Sequence, residues 1–318
     1  MSIENYKLFK WIGGKSWISN KLNEKTNEII KDKNIITYVE PFCGGLGSFL
    51  SLFETLKNNG IKEVILNDLN SNLIFLYEQI KLNPNGLFEI YEKIENEFKN
   101  LIPTKANFLH KTKDKVELKV LLKEANDFYL EKRKILNQLI SENEPQGVLE
   151  RSAIFLFILK HNFNGIYREN SKGEINSPFN WEALNINLIS FKKSILNLSE
   201  LFNSFNIKFC NLDIEEFFDK VYIEQDKTFF YYDPPYINEI PNTENSYTSG
   251  GFSIEKQINL INFINENNKH FLYSNHLNDL ILENFKNYNY ETIQRKNLIS
   301  PNKENRGKTI SEVLIFNK

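Results

Sequence analysis

Cysteine is scarce in this chain, with two in 318 residues, Cys43 and Cys210. They lack the paired spacing of a metal site and fall in segments of strand or strand-end character, so a reduced, cytoplasmic compartment fits better than a disulfide framework. Long apolar runs are also missing. The longest, Ala153 to Leu159, is far short of the roughly 20 residues that a membrane-spanning helix needs. No apolar leader stands at the N-terminus, and no membrane association is expected. An excess of one charge is absent as well: 39 Lys and Arg face 41 Asp and Glu, for a net charge of −2. That argues against a protein that coats nucleic acid regardless of sequence, but leaves a locally positive cleft open. Repeats and low-complexity tails are lacking. What remains is globular in composition, 41% hydrophobic and 25% charged, and long enough for two lobes or for one domain carrying an insertion.

Periodicity supplies the organisation. Ser16 to Ile30 reads as a helix, Ile35 to Val39 as a buried strand, Gly47 to Lys57 as a helix and Val64 to Leu66 as a second strand. A further helix over Asn70 to Lys81 is expected to stop at Asn83-Pro84-Asn85-Gly86. This alternation opens a doubly wound α/β sheet. From Leu87 to His161 the strand signal gives way to helical patterns, and Asn162 to Asn180 reads as a hairpin or loop. The α/β pattern then returns: helix Leu184 to Phe202, strand Ile207 to Cys210, helix Ile214 to Val221, strand Thr228 to Tyr232, helix Ile254 to Asn267, strand Phe271 to Ser274, and a closing strand pair, Tyr290 to Leu298 and Ser311 to Asn317. Residues 1–83 and 184–318 are accordingly expected to form one discontinuous domain, with 84–183 inserted between its halves.

Two constellations carry chemistry. Asp233-Pro234-Pro235-Tyr236 follows the apolar run Phe229 to Tyr232, which places a carboxylate at the C-terminal edge of a strand, a stiff two-proline exit and an aromatic ring at the mouth. Such an arrangement grips a planar amine between Asp233, the Pro234 carbonyl and Tyr236; the bland alternative is an ordinary strand-ending turn. The second is Phe42-Cys43-Gly44-Gly45-Leu46-Gly47, which joins the first strand to a helix and brings backbone close to a ligand. Asp68, ending the next strand, stands where an acid takes the hydroxyls of an adenosine ribose; the alternative is a helix N-cap. The glycine spacing departs from the dinucleotide fingerprint and favours an adenosine cofactor without pyrophosphate, S-adenosylmethionine, over NAD. Lys10-Trp11-Ile12-Gly13-Gly14-Lys15 is expected to bring Lys15 to the carboxylate of the methionine moiety, with Trp11 lining the same pocket.

Taken in order, Lys10 to Lys15, Phe42 to Gly47, Asp68, Asn162-Phe163-Asn164-Gly165-Ile166-Tyr167-Arg168, Asn176-Ser177-Pro178-Phe179, Asp233 to Tyr236, Ser274-Asn275-His276 after a late strand, and Arg306 to Glu312 resemble the adenine-specific DNA methyltransferases of the Dam type, alpha group. The resemblance covers nearly the whole chain. It implies a Rossmann-like methyltransferase sheet with an inserted, mainly helical target-recognition domain, S-adenosylmethionine as cofactor, and N6 of a flipped adenine in double-stranded DNA as target. Trp11, Lys15, Phe42, Gly44, Asp68, Asp213 and Asp233 would then meet the cofactor, and Asp233, Pro234 and Tyr236 the target base. Lys10, Asn162, Phe163, Asn164, Arg168 and Pro178 would read DNA, Phe163-Asn164 filling the gap left by the extruded base. Arg168 suits guanine in the major groove. Thr243 and Ser246 in the polar loop Ile237 to Gly251, with Arg306 and Lys308, would contact phosphates.

After Pro178-Phe179 the chain departs from the family's Gly-Arg-Tyr type continuation with Asn180-Trp181-Glu182, so GATC and a different, asymmetric site both remain open as the target. A functional pairing with a restriction endonuclease is part of the same expectation. Competing readings are an amino methyltransferase acting on RNA or on a protein glutamine, a catalytically silent DNA-binding module, and a Rossmann oxidoreductase.

Overall fold

A computed structural model describes residues 3–106, 115–142, 147–181, 184, 186–236, 252–296 and 309–317. Seven strands form one sheet: β1 (Thr37–Glu40), β2 (Glu63–Asn67), β3 (Asn206–Cys210), β4 (Thr228–Tyr232), β5 (Phe271–His276), β6 (Asn289–Lys296) and β7 (Thr309–Phe316). Their spatial order is β3-β2-β1-β4-β5-β7-β6. The first five run parallel, with Tyr38 opposite Val64 on one side of β1 and Phe229 on the other. β7 runs antiparallel between β5 and β6.

Alternation of side chains along the strands divides the core in two. Tyr38, Val64, Leu66, Phe229, Tyr231, Leu272 and Leu314 face one way, beneath the helices Ser19–Ile30, Gly47–Asn58, Ser71–Leu82 and Leu188–Asn203. Val39, Phe230, Tyr232, Phe271, Tyr273, Val313 and Ile315 face the other, beneath Ile214–Lys220, Ile254–Asn267 and Asp279–Asn284. Both central strands β1 and β4 are buried along their whole length, which is why β4 reads as an apolar run; β1 buries Thr37 and Glu40 as well as Tyr38 and Val39. Strand order reverses between β1 and β4, and open α/β sheets form their ligand crevice outside the carboxyl ends of strands at such a point.

Between Leu82 and Leu188 the described chain adds no strand to the sheet. Helices Pro84–Asn100, Lys115–Leu121, Lys123–Glu142 and Val148–His161 occupy this region, and their buried residues join the core of the first face. Val148–His161 is the central one, buried from Arg151 to Leu159 and again at His161, as expected of a helix that is apolar on all sides. Arg151 ties it to the sheet's helices: Nε donates to Asn72 Oδ1 at 2.8 Å and Nη2 to Ser71 Oγ at 3.0 Å. At its other end the fully buried His161 ring meets Glu95 Oε2 at 2.8 Å, between the rings of Phe98 and Phe157.

Several boundaries differ from the pattern reading. Asn83-Pro84-Asn85-Gly86 does not break the chain into a loop. Asn83 alone is the joint, closing one helix and capping the next, its side chain accepting from Gly86 N, with Pro84 at the first helical position, where its missing N–H costs nothing. The helix expected from Leu184 begins at Leu188, where the Asn187 side chain caps Ser190 N. Ser16–Ile18 is a 3-10 turn rather than the first α-turn. Ser274-Asn275-His276 lies within β5, not after it. The loop 237–251 and residues 297–308, and with them Thr243, Ser246, Arg306 and Lys308, lie outside the described residues, as does Glu182. No helix among the described residues is long and apolar enough to cross a membrane.

Removal of the Glu95 carboxylate takes a buried acceptor from His161 and Tyr91 together. Glu95→Ala is expected to cost about 3 kcal/mol in urea unfolding, and Glu95→Gln markedly less.

Candidate active site

The glycine loop turns out of β1 immediately after Glu40. Gly44 and Leu46 take positive φ angles, 43° and 62°, which lets Cys43 N bond Asn67 O at 2.9 Å and Gly44 N bond Asp68 Oδ2 at 2.8 Å. Tyr77 OH reaches over from the helix Ser71–Leu82, after β2, to donate to Gly44 O. The close neighbour of this loop is the chain's own N-terminal segment. A Cβ on Gly45 would stand 2.4 Å from Trp11 Cβ, and one on Gly47 would stand 3.0 Å from Lys15 N, so these two glycines admit Trp11 and Lys15 rather than a ligand alone. The other Asp68 oxygen accepts from Asn70 N at 2.8 Å. Asp68 is not the cap of the next helix. That role belongs to Asn70, whose side chain accepts from Asn72 N and Leu73 N. Burial pushes the Asp68 carboxyl up, against the pull of the Asn70 and Gly44 N–H groups.

Asn67 stitches three strand ends together. Its amide donates to Pro41 O and Leu212 O, each at 3.0 Å, and accepts from Leu212 N at 3.0 Å. The chain then reaches Asp213, which caps Ile214–Lys220 through Glu215 N and pairs with Lys256 at 2.8 Å. Burial raises the Asp213 carboxyl, but Lys256 and the backbone donors outweigh it and leave it below its ordinary value. Phe42 packs edge-on against Phe252 at 5.6 Å on the same side of the loop.

β4 delivers Asp233 to the centre of this edge. Lys15 Nζ lies 2.8 Å from Asp233 Oδ2 and donates to Gly13 O at 2.9 Å, with only 1% of the lysine exposed. Ser274 Oγ, within β5, donates to Asp233 Oδ1 at 2.8 Å and stands 3.0 Å from Tyr231 OH. Tyr236 is fixed on three sides: its hydroxyl donates to Glu312 Oε2 at 3.2 Å, its ring meets His276 at 4.6 Å, and Lys15 Nζ stands 4.8 Å from the ring centre. Glu40, fully buried at the end of β1, accepts from Tyr38 OH at 2.7 Å. Burial pushes its carboxyl up to about 8; Asp233 adds to the rise, while the Tyr38 and Ser48 hydroxyls and Lys15 restrain it.

The hairpin from Asn162 is closed by antiparallel bridges Asn162 to Phe179 and Glu169 to Ile175. Phe163 N bonds Pro178 O at 2.8 Å, and Asn164 takes φ 58° at the turn. Phe163, Asn164, Arg168 and Pro178 are exposed. Asn162 is buried instead, its amide donating to Ile166 O at 3.3 Å, so the structure puts it at the base of the hairpin rather than on its face. The hairpin sits on the N-terminal segment: a Cβ on Gly165 would meet Lys10 Cβ at 2.5 Å, and the Tyr167 ring stacks on Trp11 at 5.3 Å.

Lys10, Trp11, Lys15, Gly44, Asp68, Asp233 and Tyr236 thus converge on one sheet edge, with Phe42 and Asp213 flanking it. Glu40, Asn67 and Tyr77 carry no spacing signal in the sequence, each being a lone Glu, Asn or Tyr among core residues, and Tyr167 stands in the Asn162 to Arg168 motif with no role assigned to it there. Ser274, His276 and Glu312 sit in recognisable motifs, but only the strand register shows what they touch. Among the described residues, no three His, Cys, Asp or Glu side chains are grouped to hold a metal ion.

A Rossmann-like sheet with a glycine turn after β1, an acid after β2 and an acid-Pro-Pro-Tyr edge after β4 defines an α/β group-transfer enzyme. A family model described as D12 class N6 adenine-specific DNA methyltransferase matches residues 11–299, and the chain belongs to that family. It is 29% identical to the Type II methyltransferase M.MjaIII of Methanocaldococcus jannaschii, with 97% of each chain covered. It is 28% identical to the Type II methyltransferase M1.LlaDCHI of Lactococcus lactis subsp. cremoris, covering 97% of this chain and 94% of that one. It is 25% identical to the DNA adenine methylase of Escherichia coli K12, covering 99% and 96%.

Glu40 holds a proton in the folded protein across a range in which the unfolded chain has released it. Stability is therefore expected to fall as pH rises from about 4.5 to about 8. Thermal midpoints measured across this range should flatten in Glu40→Gln; an unchanged slope would assign the proton to another group.

Proposed function

We propose that this protein transfers a methyl group from S-adenosylmethionine to N6 of an adenine turned out of double-stranded DNA. The single observation that carries the reading is Asp233, held at the end of β4 by Lys15 and Ser274 with Tyr236 beside it, in a member of an adenine-specific family.

The residues present suit that cofactor. Gly44 points its N–H at Asp68, so ribose hydroxyls at Asp68 would lie against bare backbone, and the Trp11 indole supplies an apolar wall over Gly44 and Gly45. Lys15 is an ammonium buried beside Asp233, and would serve a methionine carboxylate from the same place. Asp213 and Phe42 would border the adenine. The cofactor, when bound, supplies an electrophilic methyl group on sulfonium sulfur.

The protein's own part is alignment. An adenine in a duplex cannot reach a pocket at the sheet edge, so it leaves the stack and is gripped outside it. Asp233 and the Pro234 carbonyl would accept the two N6–H bonds and turn the nitrogen lone pair toward the methyl, while Tyr236 stacks on the ring. Most of the rate then comes from orientation and from the fixed negative charge of Asp233 beside the positive charge that develops on N6. Once methylated, the nitrogen is strongly acidic and loses its proton readily.

In this reading residues 1–83 and 184–318 form the catalytic domain and 84–183 the inserted recognition domain. The hairpin would read DNA with Phe163, Asn164, Arg168 and Pro178, joined by Lys10. Thr243, Ser246, Arg306 and Lys308 would contact phosphates. Work on cytoplasmic DNA beside a partner restriction endonuclease fits the two relatives named as Type II methyltransferases. The departure at Asn180-Trp181-Glu182 keeps a target other than GATC in play.

Incubated with labelled S-adenosylmethionine and unmethylated duplex DNA, the purified protein is expected to produce N6-methyladenine. Asp233→Ala should lower the rate about 100-fold or more in a protein that still folds, though with lower stability for the loss of the Lys15 partner. Label in RNA or protein but not in DNA would overturn the reading, and methylation-sensitive sequencing of DNA from expressing cells would give the target sequence.

A further inference from the structure

Trp11 lies between two parts of the protein that serve different ligands in the proposed reaction. One side of its side chain presses on Gly44 and Gly45, so closely that a Cβ at Gly45 could not be accommodated. The other carries Tyr167, ring on ring at 5.3 Å and 26° from parallel. Tyr167 is buried, and its hydroxyl donates to Glu169 within the hairpin. Asn70 and Asn72 follow Asp68 at the head of the next helix. Asn72 is held in turn by Arg151 from the central helix. Arg168 is the next residue: its side chain is exposed, and its N–H is fixed by Ser177 Oγ at 3.0 Å. Successive residues of an extended segment face opposite ways, so the inward seat of Tyr167 sets the outward aim of Arg168. Gly165, packed on Lys10 Cβ, gives the hairpin a second point of contact with the same segment.

We infer that Tyr167 is a positioning residue that links the cofactor pocket to the DNA-reading hairpin through its stack on Trp11, so that a filled pocket orders the Phe163–Arg168 face. The inference rests on the proposed cofactor and DNA roles. A ligand that settles the Gly44–Gly45 turn and Trp11 also settles the ring stacked on Trp11, and through it the backbone that carries Arg168. By linkage, DNA on the hairpin tightens the pocket by the same factor. No displacement of the hairpin is needed, since narrowing its motion is sufficient. Tyr167 touches neither substrate nor the reacting atoms, and its effect is confined to the coupling.

Amide hydrogen exchange with S-adenosylhomocysteine tests this without a known target sequence. In the wild-type protein the ligand should slow exchange at residues 41–47 and, by about 5-fold or more, across 162–180. Tyr167→Phe keeps the stack and should keep both effects. Tyr167→Ala should retain protection at 41–47 and lose it at 162–180; a residue that only supports the fold would instead loosen the hairpin with and without ligand and leave the ligand-induced ratio unchanged. Equal ligand-induced protection of the hairpin in Tyr167→Ala and wild type overturns the inference. Absence of protection at 41–47 in the wild type overturns the cofactor reading itself, and the inference with it. Should Tyr167→Ala fail to fold, Tyr167→Leu, which keeps apolar bulk without a stacking ring, takes its place with the same outcomes.

Discussion

The ion pair between Lys15 and Asp233 is the constraint on which the rest of the site depends. An ammonium almost wholly removed from water is tolerable only beside a carboxylate and with its remaining hydrogens bonded; Asp233 Oδ2 and Gly13 O meet that need. The pair pins the N-terminal segment to the end of β4, across the top of β1. Once Lys15 is anchored there, Gly14 and Lys15 lie on Gly47 and Trp11 lies on Gly45, which is why those positions have no room for a side chain. The glycine loop is therefore shaped from both ends, by the strand that feeds it and by the lysine that holds its lid.

The same segment extends the constraint to the helical region. Its apolar residues are continuous with the core on one face of the sheet, so the hairpin from Asn162 is held by packing as well as by its chain connections. Arg151 joins the central helix to Ser71 and Asn72, and His161, the last residue of that helix, accepts from Asn180 N at the far strand of the hairpin. The hairpin base is thus fixed to the helix behind it, while its turn rests on Lys10 and Trp11 in front.

Much of this was legible in the sequence, for reasons that can be named. β4 is flanked by strands on both sides and buried on both faces, so it shows as an apolar run, and Ile35 to Val39 marks β1 despite Thr37; Gly47, Asn70 and Ser253 mark helix starts where a turn or cap is chemically required. The acid-Pro-Pro-Tyr edge and the glycine loop were legible because few structures need those residue types in that order. Capping was less so. Asp68 and Asn70 are both good N-cap residues, and only the backbone path shows that Asn70 caps while Asp68 turns back to Gly44. Asn162 belongs to a motif that reads as a surface, yet its side chain is spent on Ile166 O inside the hairpin. The partners of Asp233 lie 41 residues away at Ser274 and more than 200 away at Lys15, separations at which periodicity says nothing.

Charge balance at the sheet edge explains why Glu40 is neutral where Asp233 is paired. Two carboxyl groups, Glu40 and Asp233, feel one buried ammonium, that of Lys15, and a third, Glu312, lies on the far side of Tyr236. Lys15 touches Asp233 directly, and Glu312 takes the Tyr236 hydroxyl. Glu40 has the Tyr38 hydroxyl and, among the described residues, no cation within ion-pair distance, so a charge there would add to that of Asp233 in a water-poor setting, and burial favours the protonated form. A neutral Glu40 leaves Asp233 as the carboxylate that Lys15 compensates. Asp233, beside the Tyr236 ring, is then the carboxylate that faces an amine acquiring positive charge, with its charge undivided by Glu40.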